Sequence, residues 1–460
     1  MSINFSPFEI GRRALNAQQF GITVTGQNIA NVNTPGYSRQ RVVLAESLPQ
    51  NASRYAIGTG VDVKSVQDFR DRFIESRLQT EVGISGTLTG RRDVGANIEI
   101  ALQGSESGGL KNALNGFFGA FRDLDANPNS VPLRSIVSQK GAALAGSFKT
   151  TRSRLEEIRI GADQDIRTTV DSVNLLTTKI AALNGEIAVA EGIGSNASGL
   201  KDQRGELVRQ VTELTGARST FNSDGTINLT IGEGKALVNG TFSTELSVES
   251  TPPLGLGIIK IGKTAATFDE GKIKGLQDAI GETSRQITLL DGLAGEVVAR
   301  VNNLHTSGTD LDGNAGVEFF DTTVPVTAAN IQINPSIAAN SRLVVSSALT
   351  QPGQSGTVAG AISNLLTDQN SSVGGRTGSF SSIYGTMLSE AGQYVRSAET
   401  DLETQGYIIA QVTAQREAVS GVSLDEEAIN LMQYQKAFEA AAKFLKVADE
   451  MTQTILSLAN

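Results

Sequence analysis

The sequence predicts a mainly α-helical fold with an inserted β domain, and three observations support this class. Both ends of the chain carry apolar residues at helical spacing, and further helical patterns lie between them. Strand-like runs interrupt these patterns only within residues 217–274 and 306–350. Seven-residue apolar spacing favours helices that pack against a partner. We therefore expect a terminal α-helical coiled coil, a helical-bundle trunk and a β-rich outer domain nested in the middle of the chain.

The N-terminal helix is predicted from Phe8, because four apolar residues follow one another at seven-residue spacing. They are Phe8, Leu15, Ile22 and Ile29. The positions between them, Gly11, Gln18 and Thr25, add little apolar surface. The seam is therefore narrow, and such a helix is marginal without a partner.

The C-terminal helix is predicted over residues 423–458. Ser423 and Glu426 have the spacing of a capping box, and Gly421 precedes them as a break. An apolar stripe follows at spacings of three and four, and its members are Leu431, Tyr434, Phe438, Ala441, Leu445, Ala448, Met451, Ile455 and Leu458. The two thin terminal helices predict a coiled coil built from both ends of the chain. The residues that we expect at its assembly interface are Leu15, Ile22, Ile29, Leu431, Phe438, Leu445 and Ile455.

Between the two ends, helical spacing with few prolines predicts the elements of the trunk. The predicted helices are residues 66–106, 109–124, 130–190, 199–215, 275–305 and 378–420. In the β segments, residues 222–225 (Asn-Ser-Asp-Gly) predict a hairpin turn between strands at 219–221 and 226–231. Further strand candidates are residues 241–248, 256–261, 265–268, 331–333 and 343–345.

These elements predict three nested domains. The terminal coiled coil comprises residues 1–40 and 423–460. The helical trunk comprises 41–216, 275–305 and 351–422, and the inserted β-domain comprises 217–274 and 306–350. The chain would thus leave through each layer and return through it.

Composition excludes several classes of protein. The net charge of −9 argues against a nucleic-acid-binding protein, and no apolar run approaches the length of a membrane span. The chain has no cysteine, so disulfides, thiolate catalysis and cysteine-ligated metals are excluded. Its single histidine, His305, has no conventional catalytic constellation around it. We therefore predict no catalytic, metal or cofactor-binding residues.

A segment from Asn28 to Tyr37 holds the most informative motif. It reads Asn-Ile-Ala-Asn-Val-Asn-Thr-Pro-Gly-Tyr. The proline disfavours the α conformation at the residue before it, and a Pro-Gly pair suits a tight reversal, so a helix is expected to end in a turn here. The predicted turn consists of Asn33, Thr34, Pro35, Gly36 and Tyr37.

This motif resembles the signature of the flagellar rod, hook and hook-associated axial proteins. The continuation Ser38-Arg39-Gln40 and the C-terminal blocks 421–427 and 431–440 are similar to the hook-associated members of that family. Residues 448–456 match the ending of axial proteins, and residues 301–308, with Gly316, Phe319 and Phe320, resemble the interior of the family.

The resemblance implies a structural, non-enzymatic role at the junction between hook and filament. It implies assembly from secreted monomers by coupled folding of the terminal helices. The implied partners are identical subunits in a ring, the hook protein on the proximal side, the next hook-associated protein on the distal side and an export chaperone at the C-terminal helix. It also implies an extracellular location in the bacterial flagellum, reached through the flagellar type III export apparatus. That route fits an N-terminus without the features of a Sec-type signal peptide.

Some alternatives stay open at this stage. The chain could be a hook or rod subunit, or an axial protein with a hydrolase as its inserted domain, since paired carboxylates are available for glycosidase chemistry. Asp310, Asp312 and Asn314 have the spacing of a calcium loop, with Glu318 and Asp321 further along. However, Ala315 stands where such a loop needs glycine, so an Asp/Asn/Gly turn is the favoured interpretation.

Overall fold

The computed structural model describes residues 6–34, 36–48, 50–52, 55–104, 109–251, 256–348 and 355–459. Within these ranges the α-helices are α1 (Ser6–Ala30), α2 (Arg72–Gln103), α3 (Leu110–Ala126), α4 (Val131–Gly192), α5 (Ser198–Thr215), α6 (Lys272–Thr306), α7 (Pro335–Ala339), α8 (Thr357–Asn364), α9 (Phe380–Ser420) and α10 (Leu424–Ala459). The strands are β1 (Gln40–Glu46), β2 (Gln50–Ala52), β3 (Tyr55–Ile57), β4 (Val61–Asp68), β5 (Arg218–Phe221), β6 (Ile227–Ile231), β7 (Lys235–Asn239), β8 (Phe242–Ser243), β9 (Leu246–Thr251), β10 (Leu256–Ile261), β11 (Thr264–Ala265), β12 (Gly308–Thr309), β13 (Ser347–Ala348), β14 (Ser371–Val373) and β15 (Arg376–Gly378). The predicted class, mainly α with an inserted β-containing region, is confirmed.

Most of the long helices begin and end within three residues of their predicted positions, and local capping explains two of the starts. Helix α2 begins at Arg72 and not at residue 66, because residues 66–68 belong to β4. The Asp71 carboxylate accepts hydrogen bonds from the amides of Phe73 at 2.8 Å and Ile74 at 3.3 Å, which begins α2. Ser130 caps α4 through the amide of Leu133 at 3.4 Å. None of the helices in the described ranges combines the length and the apolar character that a membrane span requires.

Helix α2 lies at the centre of the trunk, against α5, α6 and α9. Its contact with α5 and α6 depends on small residues, because a Cβ atom at Gly90 would lie 2.8 Å from the carbonyl oxygen of Lys272. A Cβ atom at Gly86 would collide with the carbonyl of Glu213. Only glycine permits the two backbones to approach so closely. Because glycines occupy these contact positions, the sequence of α2 shows no clear stripe of large apolar residues.

The core of the trunk contains a cluster of fully buried phenylalanines. Phe117 and Phe121 of α3 lie with their ring centroids 5.4 and 5.7 Å from that of Phe319. Phe319 is in turn 4.9 Å from Phe320, and Phe118 stacks on Phe380 of α9. The cluster therefore joins α3, α9 and the segment that follows α6 into one apolar core.

Two antiparallel sheets form the β region after α5, in the orders β5-β6-β7-β8 and β11-β10-β9. The predicted hairpin is confirmed, because Phe221 pairs with Ile227 across the expected turn. Gly225 in that turn has a φ of 79°, a conformation that glycine adopts without strain. Leu229, Leu237 and Leu246 are buried, so the apolar faces of these sheets join the trunk core.

The secondary structure of residues 306–348 differs from the one predicted from the sequence. The strand predicted at residues 343–345 is wrong, since Leu343 ends a 3₁₀ helix (Ser341–Leu343) and Val344 follows it outside any strand. Residues 331–333 form only an isolated bridge, between Ile333 and Phe320. Burial explains the error: Val344, Val345 and Ile331 are apolar because they insert into the helical core, not because they alternate along a strand.

A β ribbon that the sequence analysis did not anticipate follows α1. Strands β1 and β4 pair antiparallel, with an irregularity between Val43 and Leu44, and β2 pairs with β3 beyond them. Arg13 of α1 donates to the carboxylate of Asp62 in β4 at 2.6 Å. The ribbon therefore lies against the N-terminal helix.

Candidate functional site

Helices α1 and α10 pack antiparallel to each other, so the two ends of the chain form one helical pair. A Cβ atom at Gly11 would lie 2.6 Å from Cγ of Leu445, and one at Gly21 would lie 2.6 Å from the ring of Tyr434. Large side chains of α10 therefore rest on the backbone of α1 at its glycines. Since α1 also contacts β1 and β4, it is covered on more than one side.

The structure leaves the predicted interface residues partly or largely exposed, although Leu445 also packs on Gly11 within this pair. Six of them are half-buried, namely Leu15, Ile22, Ile29, Leu431, Phe438 and Leu445. Ile455 is 55% exposed. The buried stripe of α1 consists of Gly11, Ala17, Gly21, Val24, Thr25 and Asn28, which are mostly small. An apolar-spacing argument misses these residues, because small side chains contribute little to an apolar stripe even where they determine the packing.

The motif turn follows directly after α1. The amide of Thr34 donates to the carbonyl of Asn31 at 2.9 Å, and the amide of Tyr37 donates to the carbonyl of Thr34 at 3.2 Å. Gly36 has a φ of 81°, in the left-handed region that favours glycine. Asn33 is exposed, and Pro35 lies outside the described residues. The turn returns the chain towards β1.

Asn28 is the centre of a hydrogen-bond network beneath this turn. Its Nδ2 donates to the carbonyl of Gln40 at 2.8 Å and to Oε2 of Glu427 at 3.0 Å. Its Oδ1 accepts from the amide of Gln40 at 3.0 Å and from the hydroxyl of Tyr37 at 2.8 Å. The side chain is 1% exposed, and both its donors and both its acceptor positions are used. The Asn28 carboxamide therefore ties α1, β1 and α10 together.

Glu427 is a buried carboxylate in the first turn of α10. Its Oε1 accepts from Nε of Arg39 at 2.7 Å, and Arg39 also reaches Glu426 through Nη1 at 2.6 Å. Carboxylates are favoured at a helix N-terminus, and a buried one needs a charged partner. The amide of Glu426 donates to Ser423 Oγ at 3.5 Å, as the predicted cap requires. The carboxylate of Glu426 forms an ion pair with Arg39.

The network continues into the trunk. Nη2 of Arg416 in α9 donates to the carbonyl of Gly36 at 3.0 Å, and its Nε donates to Glu75 of α2 at 2.6 Å. The side chain of Asn196 donates to Oε1 of Gln40 at 3.1 Å. We call the set Asn28, Tyr37, Arg39, Gln40, Arg416 and Glu427 the joint, because it connects the terminal helical pair to the trunk.

Burial and neighbouring charges hold the joint in one protonation state at its tyrosine. Desolvation, followed by the charges of Asp202 and Glu427, raises the pKa of Tyr37 to about 12. The hydroxyl therefore stays protonated and keeps donating to Asn28 at neutral pH.

Clefts of about 950 Å³ and about 700 Å³ flank the turn, the first between α1, α4 and α5 and the second beside the α9–α10 connection.

The other candidates from the sequence have structural roles. His305 is fully buried: its Nδ1 lies 2.5 Å from the carbonyl of Val317, and its Nε2 accepts from the amide of Val345 at 2.9 Å. Burial lowers the pKa of His305 to about 4, so it is neutral at pH 7. The Asp310 carboxylate accepts from the amides of Asp312 and Asn314, at 2.9 and 2.8 Å, in an Asx-type turn. No group of side chains suited to a metal ion occurs in the described ranges.

Models of known protein families match three segments of the chain. The model of the "flagellar hook-associated protein FlgK helical domain" matches residues 96–320. The model of the "flagella basal body rod protein" matches residues 8–37, and that of the "flagellar basal body rod FlgEFG protein C-terminal" region matches residues 414–458. The two terminal matches contain α1 with the motif turn and α10 with Glu427.

Full-length relatives decide the assignment. Flagellar hook-associated protein 1 of Bacillus subtilis is 28% identical, over 99% of this chain and 99% of its own length. The chain belongs to the flagellar hook-associated protein 1 family. The hook-associated protein 1 of Salmonella typhimurium is 26% identical over 96% of this chain and 98% of its own. In fold, the chain is similar to the structure of the flagellar hook junction protein FlgK from Burkholderia pseudomallei, with a TM-score of 0.65, 14% identity and coverage of 75% of this chain and 100% of that one.

Sequence reasoning missed most residues of the joint in this member of the hook-associated protein 1 family. The predicted turn, Asn33–Tyr37, contains only one residue of the joint, Tyr37. Asn28 lies one helical turn earlier, where a polar residue in a buried stripe is the available signal. Arg39, Arg416 and Glu427 offer no such signal, since their pairing brings together positions almost four hundred residues apart in the chain.

Proposed function

We propose that this chain forms the junction between the hook and the filament of the bacterial flagellum, as a structural subunit. The observation that carries the proposal is the similarity to hook-associated protein 1 of two bacteria over 96–99% of the chain. Members of the family are structural flagellar proteins, so the chain is a component of the flagellum and not an enzyme.

Assembly by coupled folding of the terminal helices accounts for the surface of the helical pair. Phe20 of α1 is 45% exposed, and Met432 and Met451 of α10 are 58% and 61% exposed. Such apolar surface is costly in water and is covered when subunits pack side by side. We propose that the partly exposed residues Leu15, Ile22, Ile29, Leu431, Phe438, Leu445 and Ile455 contact neighbouring subunits, and that Leu445 does so in addition to its packing on Gly11 within the chain. The nested division into residues 1–40 and 423–460, the helical trunk and the β-domain belongs to the same proposal.

The family implies assembly with hook and axial flagellar proteins. In finer detail, we propose a ring of identical subunits with the hook protein on its proximal side and the next hook-associated protein on its distal side. An export chaperone would bind the C-terminal helix before assembly, when its apolar stripe has no partner. Export through the flagellar type III apparatus would deliver the monomer to an extracellular position.

Deletion of the gene tests the proposal. We expect electron microscopy to show hooks without filaments, and an immunoblot of the medium to show shed monomeric flagellin. Restoration of filaments by the wild-type gene is the control. Complete filaments in the deletion strain would contradict the junction role, and loss of hooks would move the protein to the hook or rod class.

Neither alternative role gains support from a particular observation. A hook or rod subunit would share the terminal matches but not the hook-associated helical domain over residues 96–320. A hydrolase in the inserted region would need a pair of catalytic carboxylates in a cleft, and a zymogram of the purified protein would detect it.

A further inference from the structure

A cleft of about 500 Å³ lies where β4, α2, α4, α5 and the β5–β6 hairpin meet. It is lined by three carboxylates and four cationic side chains, which are Asp68, Glu75, Glu191, Arg70, Arg72, Lys201 and Arg204. The terminal helical pair does not line this cleft, and the joint meets it only through the ion pair of Arg416 with Glu75.

Each carboxylate that lines the cleft already has a cationic partner. Asp68 lies 3.1 Å from Nε of Arg70, and Glu75 lies 2.6 Å from Nε of Arg416. Glu191 forms an ion pair with Lys201. The carboxylates of the cleft are therefore neutralised without Arg72 or Arg204.

Two guanidinium groups of the cleft are left without a carboxylate. Within the described part of the chain, neither Arg72 nor Arg204 forms an ion pair. Arg72 is exposed and lies over the ring of Phe221, 5.0 Å from its centroid. Glu191 and Asp224 lie near enough to raise the pKa of Arg204, but Glu191 pairs with Lys201 and the Asp224 carboxylate accepts from the amide of Thr226 at 3.0 Å.

Arg204 presents the geometry of an anion site. Its side chain is 4% exposed, and its Nη1 donates to Oδ1 of Asn184 at 2.7 Å and to the carbonyl of Gly225 at 2.8 Å. Its Nε and Nη2 have no acceptor in the described ranges. These two nitrogens form the side of the guanidinium plane that binds a carboxylate with two parallel hydrogen bonds.

A second buried arginine shows that the open edge of Arg204 is particular to this cleft. Arg134 is also fully buried and donates through Nη2 to the carbonyl of Pro128 and to Oγ of Ser346, both at 2.7 Å. Its unpartnered Nε and Nη1 are sealed from solvent. Only Arg204 of this pair lines a cavity that a ligand can enter.

We propose that this cleft is an oxyanion-binding site in which Arg204 binds a carboxylate with its Nε and Nη2 and Arg72 closes the rim. Burial and the neighbouring Arg70 lower the pKa of Arg204 to about 10, which still leaves it charged at neutral pH. An anion would supply a directly hydrogen-bonded counter-charge, which the nearby carboxylates of Glu191 and Asp224 do not provide. Resting on the proposed function, the source is an Asp or Glu side chain of a neighbouring axial subunit; a free oxyanion shares the same chemistry.

Titration of the purified full-length chain tests the site directly. Sodium acetate and sodium phosphate are compared with sodium chloride at equal ionic strength, and binding is followed by the NMR signal of the Arg204 Nε–H group. We expect saturable shifts with acetate and phosphate. Arg204→Gln, followed through backbone amides of the cleft, should weaken acetate binding about tenfold or more, because charge-assisted hydrogen bonds are lost.

Arg72→Glu keeps the test decisive if Arg204→Gln folds poorly, because Arg72 is exposed. We expect it to weaken acetate binding severalfold, while Arg92→Gln, an exposed arginine of the same helix, leaves binding unchanged. The proposal is overturned if wild-type protein binds neither acetate nor phosphate saturably, or if both cleft variants bind them as wild type does.

Complementation distinguishes the two sources of the anion. If a neighbouring subunit supplies the carboxylate, Arg72→Glu reduces the number of filaments per cell relative to Arg92→Gln. If a free oxyanion occupies the cleft, filaments are unaffected although binding is weakened. Rescue by the wild-type gene tests the junction role separately, so failure of the cleft and failure of the proposed function give different results.

Discussion

The trunk core and the joint are held together by different forces. Around Phe319, four other aromatic rings lie with their centroids within 5.7 Å of its own. Around Asn28, contact is made by oriented hydrogen bonds and by the ion pairs of Arg39 with Glu426 and Glu427. The trunk therefore gains stability from apolar burial, whereas the joint gains orientation from polar groups that each need a particular partner.

This difference suits a subunit whose trunk folds before assembly and whose terminal helices are completed by assembly. The trunk can bury its apolar residues within one chain, so it needs no neighbour. The terminal pair leaves large apolar side chains exposed and rests on small residues, so its stability within one chain is modest. The joint then sets the direction in which the pair leaves the trunk, and neighbouring subunits complete its burial.

The largest effect is expected from a truncation in the trunk core. Phe319→Ala should lower the free energy of unfolding by about 3–5 kcal/mol, because it removes a fully buried ring and leaves a cavity. Far-UV circular dichroism in a denaturant series measures the loss. Phe242→Ala is the matched control, since Phe242 is 76% exposed and should change stability by less than about 0.5 kcal/mol. Equal effects of the two substitutions would contradict an apolar trunk core at Phe319.

The second effect is a loss of folding stability in acid, which arises from His305 in the trunk. The pKa of His305 is about 4 in the folded chain and ordinarily 6.5, so the unfolded chain binds a proton that the folded chain does not. Stability is therefore lost as pH falls from about 6.5 to about 4, reaching about 3 kcal/mol. His305→Gln, which retains a donor and an acceptor, should remove this component from the stability profile between pH 4 and 7. An unchanged slope would contradict a neutral buried histidine.

The third effect is confined to the terminal pair. Gly21→Val would place methyl groups against the ring of Tyr434 and should weaken the contact of α1 with α10 by about 1–3 kcal/mol. Hydrogen exchange of the α10 amides should accelerate while the trunk amides keep their protection. Gly26→Val is the control on the same helix, because a Cβ atom there meets no neighbour within 4 Å. Loss of protection in the trunk would show that the two regions unfold together.

The smallest effect concerns the joint itself. Glu427→Gln keeps the shape of the side chain but removes the charge that pairs with Arg39, and should cost about 1.5 kcal/mol. Glu439→Gln is the control, because Glu439 is exposed and its pair with Lys436 is worth little. Exchange rates in the first turns of α10 measure both. Identical rates in the two variants would mean that Arg39 contributes nothing to the joint.

Sequence reasoning succeeded for long helices and failed where contacts between distant residues decide. Helical spacing over residues 424–459 is local information, and it placed α10 within a residue or two of its observed bounds. The apolar run 343–345 contains the same residue types as a strand, and only the surrounding helices show that it inserts into their core. The ribbon of β1 and β4 was missed because its short strands carry mixed apolar and charged residues.

The amino-acid sequence alone determined the helical class, the cap of α10, the hairpin and the membership of the axial proteins, since each depends on neighbouring residues or on a contiguous motif. Tertiary structure decided how the ends meet. Asn28 and Glu427 become partners only because α1 and α10 run antiparallel beside the trunk. Likewise, the free edge of Arg204 exists only because its other edge is used by Asn184 and Gly225. The Asn28–Glu427 pairing spans 399 residues and the two Arg204 contacts span 20 and 21, and in each case the packing of separate elements brings the partners together.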